Sequence, residues 1–473
     1  MKTPFLRTTL LAALLLPLPA SPQSPHDAVL AHVDAHAAAY ANTAQQIWDL
    51  AEVGYQEVES SALLQAHLTG AGFQVETGVA GMPTAFIGSW GSGSPVIGIL
   101  AEFDALPGIT QDRSPERARR PGMGAGHACG HHLFGAGSVA AALAVKDWMV
   151  SSGTRGTIRV FGTPAEEGGA GKVYMVRGGL FGDVDAVLHW HPGSSNDASP
   201  STSLANKSAK FRFHGISAHA AGAPEQGRSA LDGVEAMNHM VNMLREHVPQ
   251  ESRIHYVITA GGHAPNVIPD FAEVYYYVRN PETELVRSIF ERVVLAAEGA
   301  AMGTGTRVEY EVIHGLYPML SNEVLQRRAH ENLERVGGVV YDEAETAFAE
   351  AIMGTLANSR PLESAAAVQP YMPRKGGGST DVADVSWVVP TVGVRTATWV
   401  PGTPAHSWQA IAAGGMSIGN KGMIVAAKTL ALTMVDLFMD AELLEAAAAE
   451  YRERSGPDFE YVSLVGDRER RCK

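Results

Sequence analysis

Seven consecutive residues, Gly126-His127-Ala128-Cys129-Gly130-His131-His132, carry three imidazoles and the only internal thiol of the chain. Thiolate with imidazole is a donor set for zinc and its first-row neighbours. A glycine-rich turn with incidental histidines is the plain alternative, and other polar positions weigh against it. The strand-like run Val96 to Ala101 ends in Glu102-Phe103-Asp104. A second, Thr157 to Phe161, runs into Pro164-Ala165-Glu166-Glu167-Gly168. Adjacent glutamates leave one backbone in different directions, so one can bind a metal while the other faces a reacting water. A third run, Ala186 to Trp190, ends in His191-Pro192-Gly193, with His189 two residues before His191. Open α/β sheets place functional groups at the carboxyl ends of their strands. Three successive strand ends thus offer Asp104 with the loop after it, Glu167 and His191.

These groups need a scaffold. At 473 residues the chain exceeds what one hydrophobic core supports, so two domains are expected. A hydrophobic content of 45% is that of a globular protein. A net charge of −14 argues against nucleic acid or an anionic membrane surface as main partner. The basic cluster Arg117 to Arg120 reads as solvated surface, within a polar loop from Gln111 to Arg120. At the N-terminus, Lys2 and Arg7 precede an apolar run, Leu10 to Leu18, and small residues around Ala20. That is a secretory signal layout, too short to span a membrane. It predicts a periplasmic or secreted protein with no membrane attachment after signal removal. Of two cysteines, Cys472 sits at the extreme tail, so no structural disulfide is expected and Cys129 stays free for a metal.

Apolar spacing predicts helices between Pro25 and Gly70 and a helix from the Cys/His segment to about Gly153. From about Ser203 to Leu316 the pattern becomes strand-helix-strand-strand-helix-strand, an α+β sandwich small enough to be inserted in another domain. Later come Gly376-Gly377-Gly378-Ser379-Thr380-Asp381, a strand Thr391 to Thr396, the segment Gly402-Thr403-Pro404-Ala405-His406-Ser407, and a long helical pattern, Ile418 to Phe438.

Seven stretches occur in an order that resembles the di-metal amidohydrolases and carboxypeptidases, the group of the hippurate and auxin-conjugate hydrolases. They are AEFDALPG (Ala101 to Gly108), GHACGHH (Gly126 to His132), PAEEGGAG (Pro164 to Gly171), HPG (His191 to Gly193), GISAHAAGAP (Gly215 to Pro224), NVIPD (Asn266 to Asp270) and GTPAHS (Gly402 to Ser407). Each is weak alone; the ordered set is specific and covers nearly all of the mature chain. HAPNVIPD and the WHPG strand end are most similar to the aminobenzoyl-glutamate hydrolase B-chain type.

The resemblance implies an α/β fold: a mixed-sheet di-metal peptidase-like catalytic domain with an inserted α+β sandwich lid and dimerisation domain. Residues 1–22 would be signal, 23–202 and 317–473 the catalytic domain, and 203–316 the insert. It implies two divalent metal ions per chain, zinc or manganese. Cys129 would bridge them, His131 and His191 would complete one site, and Glu167 and His406 the other. Glu166 would be the general base. The HPG motif favours His191 over His189; His127 and His132 fall to supporting or surface positions. Asp104 would orient a ligand, and Glu102 stands where many relatives carry a histidine ligand. His219 would stabilise the oxyanion in a neighbouring subunit's site, making the protein a homodimer. Asn266 and Arg279 would grip the substrate's amide or carboxylate end, although a surface salt bridge is an equal reading of Arg279. The implied activity is metal-dependent hydrolysis of an N-acyl amino acid amide, aminobenzoyl-glutamate-like or another. A dipeptidase of the same fold is the near rival, and a non-catalytic metal- or peptide-binding protein the distant one. A binding protein would have no use for an unliganded Glu166.

Overall fold

The computed structural model describes residues 24–469; the signal-like segment and Cys472 lie outside them. Its larger sheet has six strands in the order Gln74–Thr77, Phe86–Ser92, Gly156–Gly162, Val96–Ala101, Ala186–Gly193, Thr391–Ala397. The first two pairings are antiparallel and the other three parallel. Val96–Ala101 is buried at every position, as a strand covered on both faces must be. Three long helices, Pro25–Leu50, His131–Ser152 and Ser417–Met439, pack together beside this sheet. The last two are long and apolar enough to cross a membrane, yet 78% of each apolar stretch is buried inside the protein. Their small residues allow the close packing: a Cβ on Gly137 would lie 3.0 Å from both Met423 and Trp190.

The inserted unit has its own core. Four antiparallel strands, ordered Arg307–Leu316, Ala205–His214, Phe271–Asn280, Arg253–Ala260, carry two helices, Ala230–Leu244 and Thr283–Thr304. Phe211, Phe213, Tyr276 and Phe290 are buried between them. Fully burying each such side chain contributes about 1.5–3 kcal/mol. Arg253–Ala260 is an edge strand, with Tyr256, Val257 and Ile258 exposed.

The chain leaves this insert at Gly315 and Leu316, and the C-terminal segment runs across that exit. A side chain at Gly315 would strike the Leu464 backbone at 2.5 Å. Arg287 and Tyr317 both donate to the Val462 carbonyl, at 2.8 and 2.9 Å. Arg468 reaches Glu311 on the insert (3.4 Å) and the Tyr174 hydroxyl on the catalytic domain (3.1 Å).

The segment Gln111 to Arg120 departs from the sequence expectation. Gln111 is buried, its amide donating to the Glu116 carbonyl at 2.7 Å. Arg113 and Arg120 lie over the Trp48 ring and both pair with Asp49. Guanidinium stacking on an aromatic face turns an apparent surface cluster into a clamp on the end of the first helix.

Candidate active site

The parallel strands all deliver their carboxyl ends to one edge of the sheet, where the site assembles. Cys129 and His131 come from the turn that opens the His131–Ser152 helix. Gly130 has φ +81°, and a Cβ there would lie 2.7 Å from Pro192, so only glycine lets this turn meet the neighbouring strand end. The contact places Cys129 Sγ 3.4 Å from His191 Nε2. His191 Nδ1 donates to the Pro192 carbonyl at 2.7 Å, which leaves the Nε2 lone pair directed at the sulfur.

His131 is fully buried between two carboxylates. Its Nδ1 is 2.9 Å from Asp104 Oδ1, and its Nε2 is 3.0 Å from Glu102 Oε2. Asp104 also accepts the Glu167 backbone N–H at 2.9 Å, so one carboxylate orients one candidate ligand and positions another. The chain turns sharply at Ala165, φ +60°, just after the strand Gly156–Gly162. Buried Glu57 holds that turn by accepting the Ala165 N–H at 2.8 Å, and Gly54 gives it room, since a Cβ there would lie 2.8 Å from the Ala165 Cβ. A non-glycine residue in left-handed conformation persists only where its surroundings over-determine it. Here it aims Glu166 and Glu167. His406 is also left-handed, φ +59°. Its N–H bonds to the Ala128 carbonyl at 2.9 Å, and its Nε2 is 3.3 Å from Glu167 Oε1.

Two groups of donor atoms result, Cys129-His131-His191 and Cys129-Glu167-His406, each within 4.8 Å of one another and sharing the sulfur. A third, His131-Glu166-Glu167, adds Glu166 at the seam. Sulfur, imidazole and carboxylate in two triads around one shared donor fit a pair of divalent cations. His131 Nε2 faces Glu102 and Glu167 Oε1 faces His406, both without a well-aligned hydrogen bond. Burial pushes the Cys129 thiol up. Burial opposes charge on His131, but Glu102 and Asp104 outweigh it and hold its proton on well above the usual imidazole range. Burial, and then the nearby Glu102 and Asp381 carboxylates, raise Glu166. Burial keeps His191 neutral.

The remaining histidines sort by contact. His127 and His132 are buried, not at the surface, and their Nε2 atoms donate to the Ile47 and Gly414 carbonyls, both at 3.0 Å. They bolt the turn to two helices. His189 lines the cavity beside the site but joins no donor group; its ring rests against Gly393. His219, Asn266 and Arg279 do not line that cavity within one chain. His219 is exposed, and its Nδ1 accepts the N–H groups of Ala221 and Gly222 at 3.2 and 3.1 Å, leaving Nε2–H outward as a donor. Arg279 lies over the Tyr277 ring at 5.2 Å.

Sequence reasoning missed Lys172. Its ammonium is fully buried, 2.7 Å from both Glu102 Oε1 and Asp381 Oδ1. The available signal was a lone lysine between Gly171 and the apolar Val173-Tyr174-Met175. Glu102 is thereby committed to Lys172 and His131 and belongs to no donor group.

The chain is 40% identical to the B component of the p-aminobenzoyl-glutamate hydrolase of Escherichia coli, over 89% of this chain and 93% of that one. It is 28% identical to a mouse Xaa-Arg dipeptidase, over 86% and 87% of the two chains. A dinuclear metal-binding peptidase from Bacillus subtilis shares the fold, with a TM-score of 0.58, 20% identity, and coverage of 86% of this chain and 99% of that one. The family model for peptidase family M20/M25/M40 matches residues 98–361, from the first buried parallel strand through the whole insert. With more than half of the chain matched in this way, the protein belongs to peptidase family M20/M25/M40 and is a hydrolase of amide bonds.

Proposed function

We propose that the protein hydrolyses the amide bond of an N-acyl amino acid, aminobenzoyl-glutamate-like or related, using two divalent ions, zinc or manganese. The observation that carries this is the pair of donor triads sharing Cys129 with Glu166 at their seam. Bound there, the ions would polarise the scissile carbonyl and activate a water. Cys129, His131, Glu167, His191 and His406 would hold them, and Asp104 would keep His131 oriented. Glu166 takes the water's proton and returns it to the leaving amine. The test is metal content and turnover together. Purified protein reconstituted with zinc or manganese should hold close to two ions per chain and cleave members of a panel of N-acyl amino acids and dipeptides. Cys129→Ala should lose metal, because it removes the donor common to both triads; unchanged metal content would sink the assignment. Ligands must shed protons to bind metal, so metal affinity should fall as pH falls.

The same reading makes the protein a homodimer joined through the exposed edge strand Arg253–Ala260. His219 then serves the partner's site, with its outward Nε2–H as oxyanion donor. Asn266 and Arg279 hold the substrate. Mixing inactive His219→Ala with inactive Glu166→Gln should form hybrids with one intact composite site and recover activity. Hybrid dimers without activity would show that each site is built from one chain. The basic-apolar-small N-terminus supports export to the periplasm or medium; N-terminal sequencing of the native protein checks it, and an intact Met1 on cytoplasmic protein would refute it.

A further inference from the structure

We propose that Arg395 is a specificity-determining residue that grips a second carboxylate on the substrate, so that the enzyme selects acidic N-acyl amino acids. This rests on the amide-hydrolase reading and deepens it. A cavity of about 530 Å³ opens from Cys129, Glu166, Glu167 and His406. Away from that end its charged side chains are Asp197, Arg374, Lys375 and Arg395. Asp197 is already committed: Oδ2 pairs with Arg374 at 3.0 Å and Oδ1 accepts the Ser199 N–H at 2.8 Å. Among the described residues no carboxylate pairs with Lys375 or Arg395. The wall therefore carries uncompensated positive charge in a protein whose net charge is −14.

The backbone fixes where this charge stands. Arg395 lies on Thr391–Ala397, in register with His191 on the neighbouring parallel strand. Two backbone bonds to Asp197, at 2.7 and 2.9 Å, pin it there. Registered residues on adjacent strands point to the same face, about 4.8 Å apart. The side chain of Arg395, an exposed residue that lines the cavity, thus starts one strand over from a donor of the first triad. Gly393, two residues earlier, lets the His189 ring lie flat against this strand, because any side chain there would collide with it. Serine and threonine hydroxyls, including Ser203 and Thr380, stand among the other lining groups. They can donate to carboxylate oxygens and offer no counter-charge. A guanidinium binds carboxylate in a bidentate fork. A basic side chain in the same place would meet two unpaired cations, and such like-charge juxtaposition rejects a substrate. The wall therefore disfavours substrates ending in arginine or lysine.

The test uses metal-loaded full-length enzyme with N-benzoyl-glutamate and N-benzoyl-glutamine, which differ in one carboxylate. Wild type should prefer the glutamate compound. Arg395→Ala should raise KM for it roughly 10- to 100-fold, the scale of one charge-assisted hydrogen-bond pair, with the loss in KM rather than kcat. Arg395→Lys should recover part of it. Equal KM ratios for the two compounds in wild type and Arg395→Ala would overturn the proposal. Should wild type cleave neither compound, the hydrolase reading fails separately. Calorimetric binding of N-benzoyl-glutamate to both proteins then decides: weaker binding to Arg395→Ala supports the carboxylate grip, and equal binding overturns it.

Discussion

Glu166→Gln should keep its full metal complement and lose about 10²–10⁴-fold in turnover, the usual worth of a general acid–base group. The substitution preserves the shape of the side chain and its place after the left-handed Ala165, but the amide cannot accept a proton. Metal analysis and steady-state kinetics on the same preparation check both halves. Near wild-type turnover with full metal would contradict the base assignment. Loss of metal would show instead that Glu166 is itself a ligand, as its proximity to His131 and Glu167 permits.

Lys172→Met should destabilise the catalytic domain by about 3–5 kcal/mol, the cost of removing one partner from a buried ion pair. Methionine fills the volume but strips Asp381 of its ammonium partner and leaves Glu102 with His131 alone as counter-charge. Thermal unfolding of the full chain measures this; because the protein has two cores, the shift should be read in the transition of the catalytic domain. The pH dependence gives a second reading. Burial already raises Glu102 above the usual carboxylate range, and removing the ammonium raises it further. A carboxyl with a raised folded-state value favours folding below its unfolded value and loses that contribution as pH rises through the folded one. The deficit of the variant should therefore shrink as pH falls. A neutral-pH deficit below about 1 kcal/mol, the scale of an exposed pair, would show that the triad acts like a surface ion pair.

Much of the site was legible because donor residues cluster at strand ends that are themselves readable. Val96–Ala101 is apolar throughout, and Glu102 and Asp104 stand where it stops. The insert was legible for the same reason, since its strand and helix periods alternate cleanly. Two kinds of information were not. Lys172 needs partners 70 and 209 residues away in the chain, and nothing local distinguishes a buried ammonium from a solvated one until those carboxylates are placed. The Arg113 and Arg120 clamp failed similarly: its acceptor, Trp48, belongs to the first helix, and composition alone reads arginines in a polar loop as exposed. His127 and His132 are a milder case. The family resemblance put them outside the ligand set, at supporting or surface positions, but only the carbonyls of Ile47 and Gly414 show that they are structural bolts.

The segment from Phe459 to Arg468 ties the two domains at the point where the insert would pivot. A swing of the insert about Gly315 and Leu316 must carry Val462 with Arg287 or break that bond, and must stretch or release Arg468 from either Glu311 or Tyr174. Any such swing would thus be opposed by contacts made some 150 residues downstream of the pivot itself.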